Sequence, residues 1–388
     1  MNPLGVAVHL QDDQVKCGNA CAQMIARFLK PAAPIHQQVD FTSASAPVPP
    51  WDSSPDQLCD MLNQFRPASV PAYVVTAAGT PQEAMAVARA NVDGLAGPRC
   101  PVAALTIHGG HWEVVHGFSG LQAAPTLHVR NPLPERDLLF QGPPPPHADN
   151  DTCNTENIVA AGSTVPADEV VAWTTWIGSY FTVCTFEPPP WKGSYVVVAP
   201  KLPRKTKPPL PLVHLPLKRP RMTELPLLPS QLAAEFARAG LIKSGVLDDA
   251  AWRDSVQSVP VDAAERSVLV HRLDGQDPYY LVPLMDDKDL GTLVGVSAVD
   301  GEFLFSRLNP PRALVDTLFT LDEVARQVAP GGQYTTRLVW TPVRESFFSP
   351  YFPLVEFSDA SGPRFYVRVF DRKRFDSLTT PGAGYKAE

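Results

Sequence analysis

Apolar positions in the first ninety residues recur at helical spacing three times. From Cys17 to Lys30, the residues Ala20, Cys21, Met24, Ile25, Phe28 and Leu29 form one stripe, and Lys30-Pro31 ends it. Ser54-Pro55-Asp56-Gln57 sets a capping serine, a proline at the first helical position and a glutamine three along, ahead of Leu58, Met61 and Leu62. Thr80-Pro81-Gln82-Glu83 repeats that grammar ahead of Ala84, Met85, Val87 and Ala88. The period then shortens. Val102 to Ile107, His111 to Phe118 and Thr126 to Val129 are β-branched runs separated by Gly or Pro, and they predict strands. Leu133 to Ala167 is polar, carries Pro143 to Pro146, and predicts a surface insertion. Val170 to Trp176 is expected to be helical and Tyr180 to Phe186 to be the closing strand. Helices followed by an antiparallel meander make an α+β domain over residues 1–190.

Prolines recur from Pro188 to Pro229, among basic residues whose sole acidic neighbour is Glu224. Val196 to Val198 could still be a strand of the first domain. Residues 191–228 are otherwise expected to be a Pro-rich, basic, extended linker. Residues 229–388 then form a second α+β unit. Ser230 to Ala239 is a helix ended by Gly240. Strands are expected at Val268–Leu273, Tyr279–Leu284, Leu293–Val299 and Glu302–Phe305, with Asp274-Gly275 and Asp300-Gly301 as hairpin turns. Thr320 to Glu323 opens another helix through Val328, and strands follow at Tyr334–Trp340, Tyr351–Phe357 and Phe365–Phe370. This helix-plus-meander order is reminiscent of cystatin-like or PepSY-like modules, and such a module would dock a substrate or a partner protein.

Composition narrows the function classes. The chain has 388 residues, and 43 are proline, about twice the usual share. A net charge of −7 and pI near 5.7 argue against a nucleic-acid-binding protein. No apolar run approaches the ~18 residues of a membrane span, and Met1 to Leu10 lacks a secretory signal, so a cytoplasmic location is expected. The six cysteines (17, 21, 59, 100, 153 and 184) all precede residue 190. They are read as reduced thiols, with one of them reactive.

Cys17 is the candidate. It opens a helix directly after Lys16, where the helix dipole and a neighbouring cation both favour thiolate. Gly18 lets a substrate carbonyl approach. A thiolate also needs a base, a group to orient that base, and oxyanion donors. Gln11, six residues upstream, can fold back with its side-chain amide, and the Cys17 backbone N–H is the second donor. His111 opens a strand after Gly109-Gly110. Asn131 ends the next strand before Pro132, where its side-chain oxygen can accept from a histidine N–H.

LQDDQVKCGNACAQM, GGHWEVVHGF and VRNP, in that order, resemble the papain-like cysteine peptidases, above all their compact bacterial, bacteriocin-processing (C39-like) branch. The likeness covers residues 1–190. It implies Gln11 as the oxyanion glutamine, Cys17 as nucleophile, His111 as general base and acid, and Asn131 as the residue that orients it. It also implies hydrolysis of a peptide or isopeptide bond in a polypeptide substrate, with neither metal nor organic cofactor. The compact branch usually carries aspartate where Asn131 stands. No membrane or ATPase portion is present, so the cleavage of double-glycine leaders does not follow.

Three other readings stay open on the sequence. The papain-like half could be inert, with the function in the second domain as a binding protein. The chain could be a secreted toxin or effector using the same triad for deamidation or acyl transfer. Cys17 and Cys21 with His108 and His111 could enclose zinc.

Overall fold

A computed structural model describes residues 3–12, 15–33, 36–45, 53–95, 97–121, 124–132, 169–185, 190–203, 226–257, 266–285, 291–308, 310, 312–347, 349–369 and 371–379. The expected insertion at 133–167, Cys153, and the linker over 204–225 lie outside them. The chain is mixed α and β and divides into two compact units, the described residues 3–203 belonging to the first and 226–379 to the second.

In the first unit, α1 (Cys17–Leu29), α2 (Pro55–Phe65) and α3 (Pro81–Val92) form where the periodicity places them. The start of α2 is a full capping box: Ser54 N donates to Gln57 Oε1 at 2.9 Å, and Gln57 N donates to Ser54 Oγ at 3.4 Å. Such a cap stabilises a helix by about 1 kcal/mol. Thr80 Oγ1 similarly accepts from Glu83 N at 3.3 Å to open α3.

The strands are β1 (Tyr73–Ala78), β2 (Val102–Thr106), β3 (His111–Leu121), β4 (Ala124–Arg130), β5 (Glu169–Ala172) and β6 (Tyr195–Pro200). They pair antiparallel in the order β1-β6-β2-β3-β4-β5. Helix α1 packs on β3 and α2, α2 on β1 and β6, and α3 on β6, β3 and β1. The seam is filled by Cys21, Met24 and Ile25 of α1, Leu58 and Leu62 of α2, and the valines of β6, all buried.

Residues 169–172 are a strand, not a helix, because Glu169 to Ala172 pair with Val129 to Thr126. The helical part begins only at Trp173 and widens into a π-type turn over Trp176–Tyr180. The expected closing strand at 180–186 is irregular where described. The strand that closes the sheet is β6, which lies between β1 and β2, so the first unit runs past residue 190 and takes in part of the expected linker. The run Val196-Val197-Val198 is buried on both faces, which demands apolar residues throughout.

In the second unit, α5 (Ala233–Lys243) follows a 3₁₀ turn at Ser230–Leu232; the one-turn helix at Trp173–Thr175 counts as α4. The helix does not stop at Gly240. That residue stands inside α5 because the backbone passes against Phe303, whose Cβ lies 2.7 Å from where a side chain would begin. Helix α6 (Ala250–Gln257) packs beside α5 on β8 (Tyr279–Met285) and β9 (Gly291–Ser297). With β7 (Val268–Arg272), β10 (Phe303–Leu308), β11 (Thr335–Trp340), β12 (Leu354–Asp359), β13 (Gly362–Arg368) and β14 (Arg374–Phe375), they run in the order β10-β9-β8-β7-β11-β12-β13-β14. All neighbours are antiparallel except β7 and β11. The expected hairpins at 274–275 and 300–301 join β7 to β8 and β9 to β10. Edge-to-face contacts link Tyr279, Phe305 and Tyr351 in the core, and Trp340 Nε1 donates to Ser349 O at 2.9 Å. No described helix is long and apolar enough to cross a membrane.

Candidate active site

Cys17 is the first residue of α1 and is partly exposed. Lys16, at the cap position, makes no side-chain capping bond, and no acidic residue stands in the first turn. The thiol therefore sits at the positive end of the helix dipole without a competing carboxylate in that turn. Gly18 is a close-approach position: a Cβ there would lie 2.4 Å from Ser53 Cβ and 3.4 Å from Trp112 Cδ1. Trp112 Nε1 in turn donates to Ser53 O at 2.9 Å. The start of α1 is thus held against the residue that follows His111.

His111 and Asn131 meet. The ring Nε2 of His111 lies 2.9 Å from Asn131 Oδ1, with the two residues 1% and 5% exposed. An amide oxygen only accepts, so the hydrogen is on Nε2, and Nδ1 is the basic position of the ring. Burial pushes the His111 pKa down to about 4, and the Asn131 hydrogen bond opposes part of that shift. At neutral pH the ring is an uncharged base.

The turn that delivers His111 is strained. Ile107 and His108 both have left-handed backbones, at φ 50° and 56°. For a β-branched residue such as Ile107 that conformation is costly, on the order of 1–3 kcal/mol, and it persists only where the surroundings enforce it. The surroundings here are the 182–185 segment: His108 N donates to Thr182 Oγ1 at 2.8 Å, and Thr185 N donates to His108 O at 2.9 Å. The His108 side chain bonds the Val183 backbone, and burial lowers its pKa.

Gln11 is fully buried, and its backbone N donates to Pro132 O at 2.9 Å, beside Asn131. The carboxamide of Gln38 grips both neighbours of Gln11. Its Nε2 donates to Leu10 O at 2.6 Å, and its Oε1 accepts from Asp12 N at 2.9 Å. The same Nε2 reaches Gln23 Oε1 at 3.2 Å, and Asn19 Nδ2 donates to the carbonyls of Gln38 and Phe41 at 3.2 and 2.8 Å. Gln23 and Asn19 belong to α1. A continuous set of contacts therefore runs from Gln11 to Pro132, Asn131, His111, Trp112 and the Gly18 end of α1, and returns through Gln38.

Cys21, one turn beyond Cys17, is fully buried. Its pKa is raised by burial, then by Cys17 and Glu113, so it behaves as a small apolar residue. Glu113 is a residue that the sequence reading passed over. It lies two positions from His111 and so on the same face of β3. It is 1% exposed, its Oε2 has no hydrogen-bond partner among the described residues, and burial and Glu169 both hold its carboxyl well above the usual range. An alternation count locates it, but only tertiary structure reveals its burial. Trp112 and Trp191 are core residues, both buried. His116 ties down the N-terminal segment, its Nδ1 lying 2.8 Å from Leu4 O.

Among the described residues, no group of three or more His, Cys, Asp or Glu is arranged to hold a metal ion, so Cys17, Cys21, His108 and His111 are not assembled as ligands. All five described cysteines are free thiols. No protein-family model, curated protein or solved structure matches this chain.

Proposed function

We propose that residues 1–203 form a papain-like cysteine peptidase domain that hydrolyses a peptide or isopeptide bond through Cys17, His111, Asn131 and Gln11. The observation that carries this reading is the buried 2.9 Å bond from His111 Nε2–H to Asn131 Oδ1, which makes Nδ1 the proton acceptor. In the reaction, His111 Nδ1 takes the Cys17 thiol proton as sulfur attacks the substrate carbonyl carbon. The Gln11 side-chain amide and the Cys17 N–H receive the oxyanion. His111 then protonates the leaving amine, and next draws a proton from the water that opens the thioester. The depressed basicity of His111 favours general-base attack by a neutral pair over a standing thiolate–imidazolium ion pair. The second unit serves as an accessory module for a polypeptide substrate or a partner protein.

That same low basicity also supports a second reading, in which the papain-like half binds polypeptide without cleaving it. Alkylation decides between them. Burial pushes Cys59 and Cys100 up to about 11 and raises Cys21, and Cys184 is buried, so among the described cysteines iodoacetamide at pH 7 with peptide mapping should modify Cys17 first. The Cys17 rate should fall at least tenfold in His111→Ala. Equal rates in the two proteins would remove His111 as the base and leave the binding reading.

A further inference from the structure

We infer that Thr182 is a positioning residue of the candidate site: its hydroxyl, acting through the His108 backbone, holds the β2–β3 turn in the conformation that sets His111 against Asn131. The effect on Cys17 rests on the peptidase reading, whereas the placement of the His111 ring does not.

The turn is Ile107 to Gly110, between the paired positions Thr106 and His111. Ile107, His108 and Gly109 follow one another with positive φ, at 50°, 56° and 96°. Glycine takes such a backbone freely, but a β-branched residue and a histidine do not. Within the turn, Gly110 N donates to Ile107 O at 2.9 Å. In a hairpin the turn fixes the register, and a slip of one residue sends each side chain to the opposite face. His111 is the first residue after the turn, so it is the first to lose its place when the turn relaxes.

The grip on His108 comes from one segment. His108 N donates to Thr182 Oγ1 at 2.8 Å, and the His108 ring bonds the Val183 backbone. Thr185 donates to His108 O twice, from N at 2.9 Å and from Oγ1 at 3.2 Å. Thr182 meets the His108 N–H with a side chain, so this contact is chosen by the sequence and would be lost in any residue without an acceptor there.

That segment is itself fastened at both ends. Phe181 N donates to Trp176 O at 2.8 Å, and Thr182 N to Tyr180 O at 3.0 Å. On the other side, Cys184 N donates to Ser194 O at 2.9 Å and Gly193 N to Cys184 O at 2.8 Å, beside the start of β6. The Phe181 ring lies 5.5 Å from that of Tyr195 on β6. Thr182 Oγ1 is therefore an acceptor placed in advance, and a group held by rigid neighbours can hold another.

The test is NMR of the histidine side chains in the full chain, with Cys17 alkylation measured alongside. Thr182→Val keeps the volume and removes the acceptor, and Thr182→Ser restores it. The parent should show a slowly exchanging His111 Nε2 proton, identified by its loss in His111→Ala. Thr182→Val should speed that exchange by about tenfold or more and slow Cys17 alkylation at pH 7 by about tenfold, because small misplacements of a reacting group are costly. Thr182→Ser should bring both back to within about threefold of the parent. Thermal midpoints within a few degrees of the parent establish that the variants are folded. If Thr182→Val does not fold, the parent decides: in denaturant well below its unfolding transition, the His108 amide and the His111 Nε2 proton should lose protection together.

An unchanged His111 signal in folded Thr182→Val, a Thr182→Ser protein that behaves as Thr182→Val does, or separate loss of the two protections overturns the inference. A His111 signal lost in Thr182→Val and restored in Thr182→Ser sustains it, even where Cys17 alkylation is indifferent to His111→Ala. That last result counts against the peptidase reading alone.

Discussion

The backbone nitrogen of Gln11 donates to the carbonyl of Pro132 at 2.9 Å, which fastens the N-terminal segment to the residue after Asn131. Two residues more than a hundred positions apart thereby become neighbours. A side-chain amide at position 11 and the acceptor that orients His111 share one short length of paired backbone.

Asn131→Ala should slow Cys17 alkylation at pH 7 by about tenfold to a hundredfold, because His111 loses the bond that sets its tautomer. Asn131→Asp should retain most of the rate and move its acid limb to higher pH, since a carboxylate beside the ring favours the imidazolium. Rate–pH profiles of the three proteins check both statements. An unchanged profile in Asn131→Asp would mean that the contact is not electrostatically coupled to the ring.

The depressed His111 pKa makes a signed statement about stability. The folded protein holds the ring neutral down to about pH 4, whereas the unfolded chain takes a proton near its ordinary value of 6.5. The stabilisation is complete above about pH 6.5 and is lost as pH falls towards 4, by an amount on the order of 3 kcal/mol. Denaturant unfolding at pH 7 and pH 4.5 should show a smaller loss in His111→Asn than in the parent.

Glu113 has the opposite sign. Its folded pKa lies well above the ordinary glutamate value of about 4.5, so the neutral carboxyl contributes fully below about pH 4.5 and the contribution fades as pH rises. Glu113→Gln keeps the shape and removes the titration. The variant should gain on the parent as pH is raised from 5 to 8, by about 1 kcal/mol or more, read as a rise of a few degrees in thermal midpoint. Parallel curves for the two proteins would show that Glu113 does not titrate against folding.

Gly18→Ala should destabilise the first unit by about 1–3 kcal/mol, because the new methyl falls 2.4 Å from Ser53 Cβ. Adding Ser53→Gly removes that atom and should recover part of the loss. A double-mutant cycle measures the coupling, and strict additivity would place the clash elsewhere.

How far the fold was legible follows the range of the forces involved. The starts of α2 and α3 could be read because a cap is made by residues three apart. The ends of β3 and β4, which carry His111 and Asn131, could be read because Gly and Pro mark them. Residues 170–172 were misread because three apolar residues have no period of their own, and pairing with β4 decides their state. The position of β6 between β1 and β2 joins residues more than a hundred apart and leaves no local trace. The same holds for Gln38, which nothing in its sequence neighbourhood marks out, and for the left-handed pair Ile107 and His108, enforced from 182–185.

Gln38 spends both ends of one carboxamide on the residues flanking Gln11, so that stretch has a hinge pin supplied from outside itself. Anything that tugs on the 36–41 turn is felt as a displacement of the backbone at position 11, at a distance from the tug itself. Sequence drift in that turn is thus a route by which descendants of this chain can shift Gln11 while leaving Gln11, Cys17, His111 and Asn131 themselves unchanged.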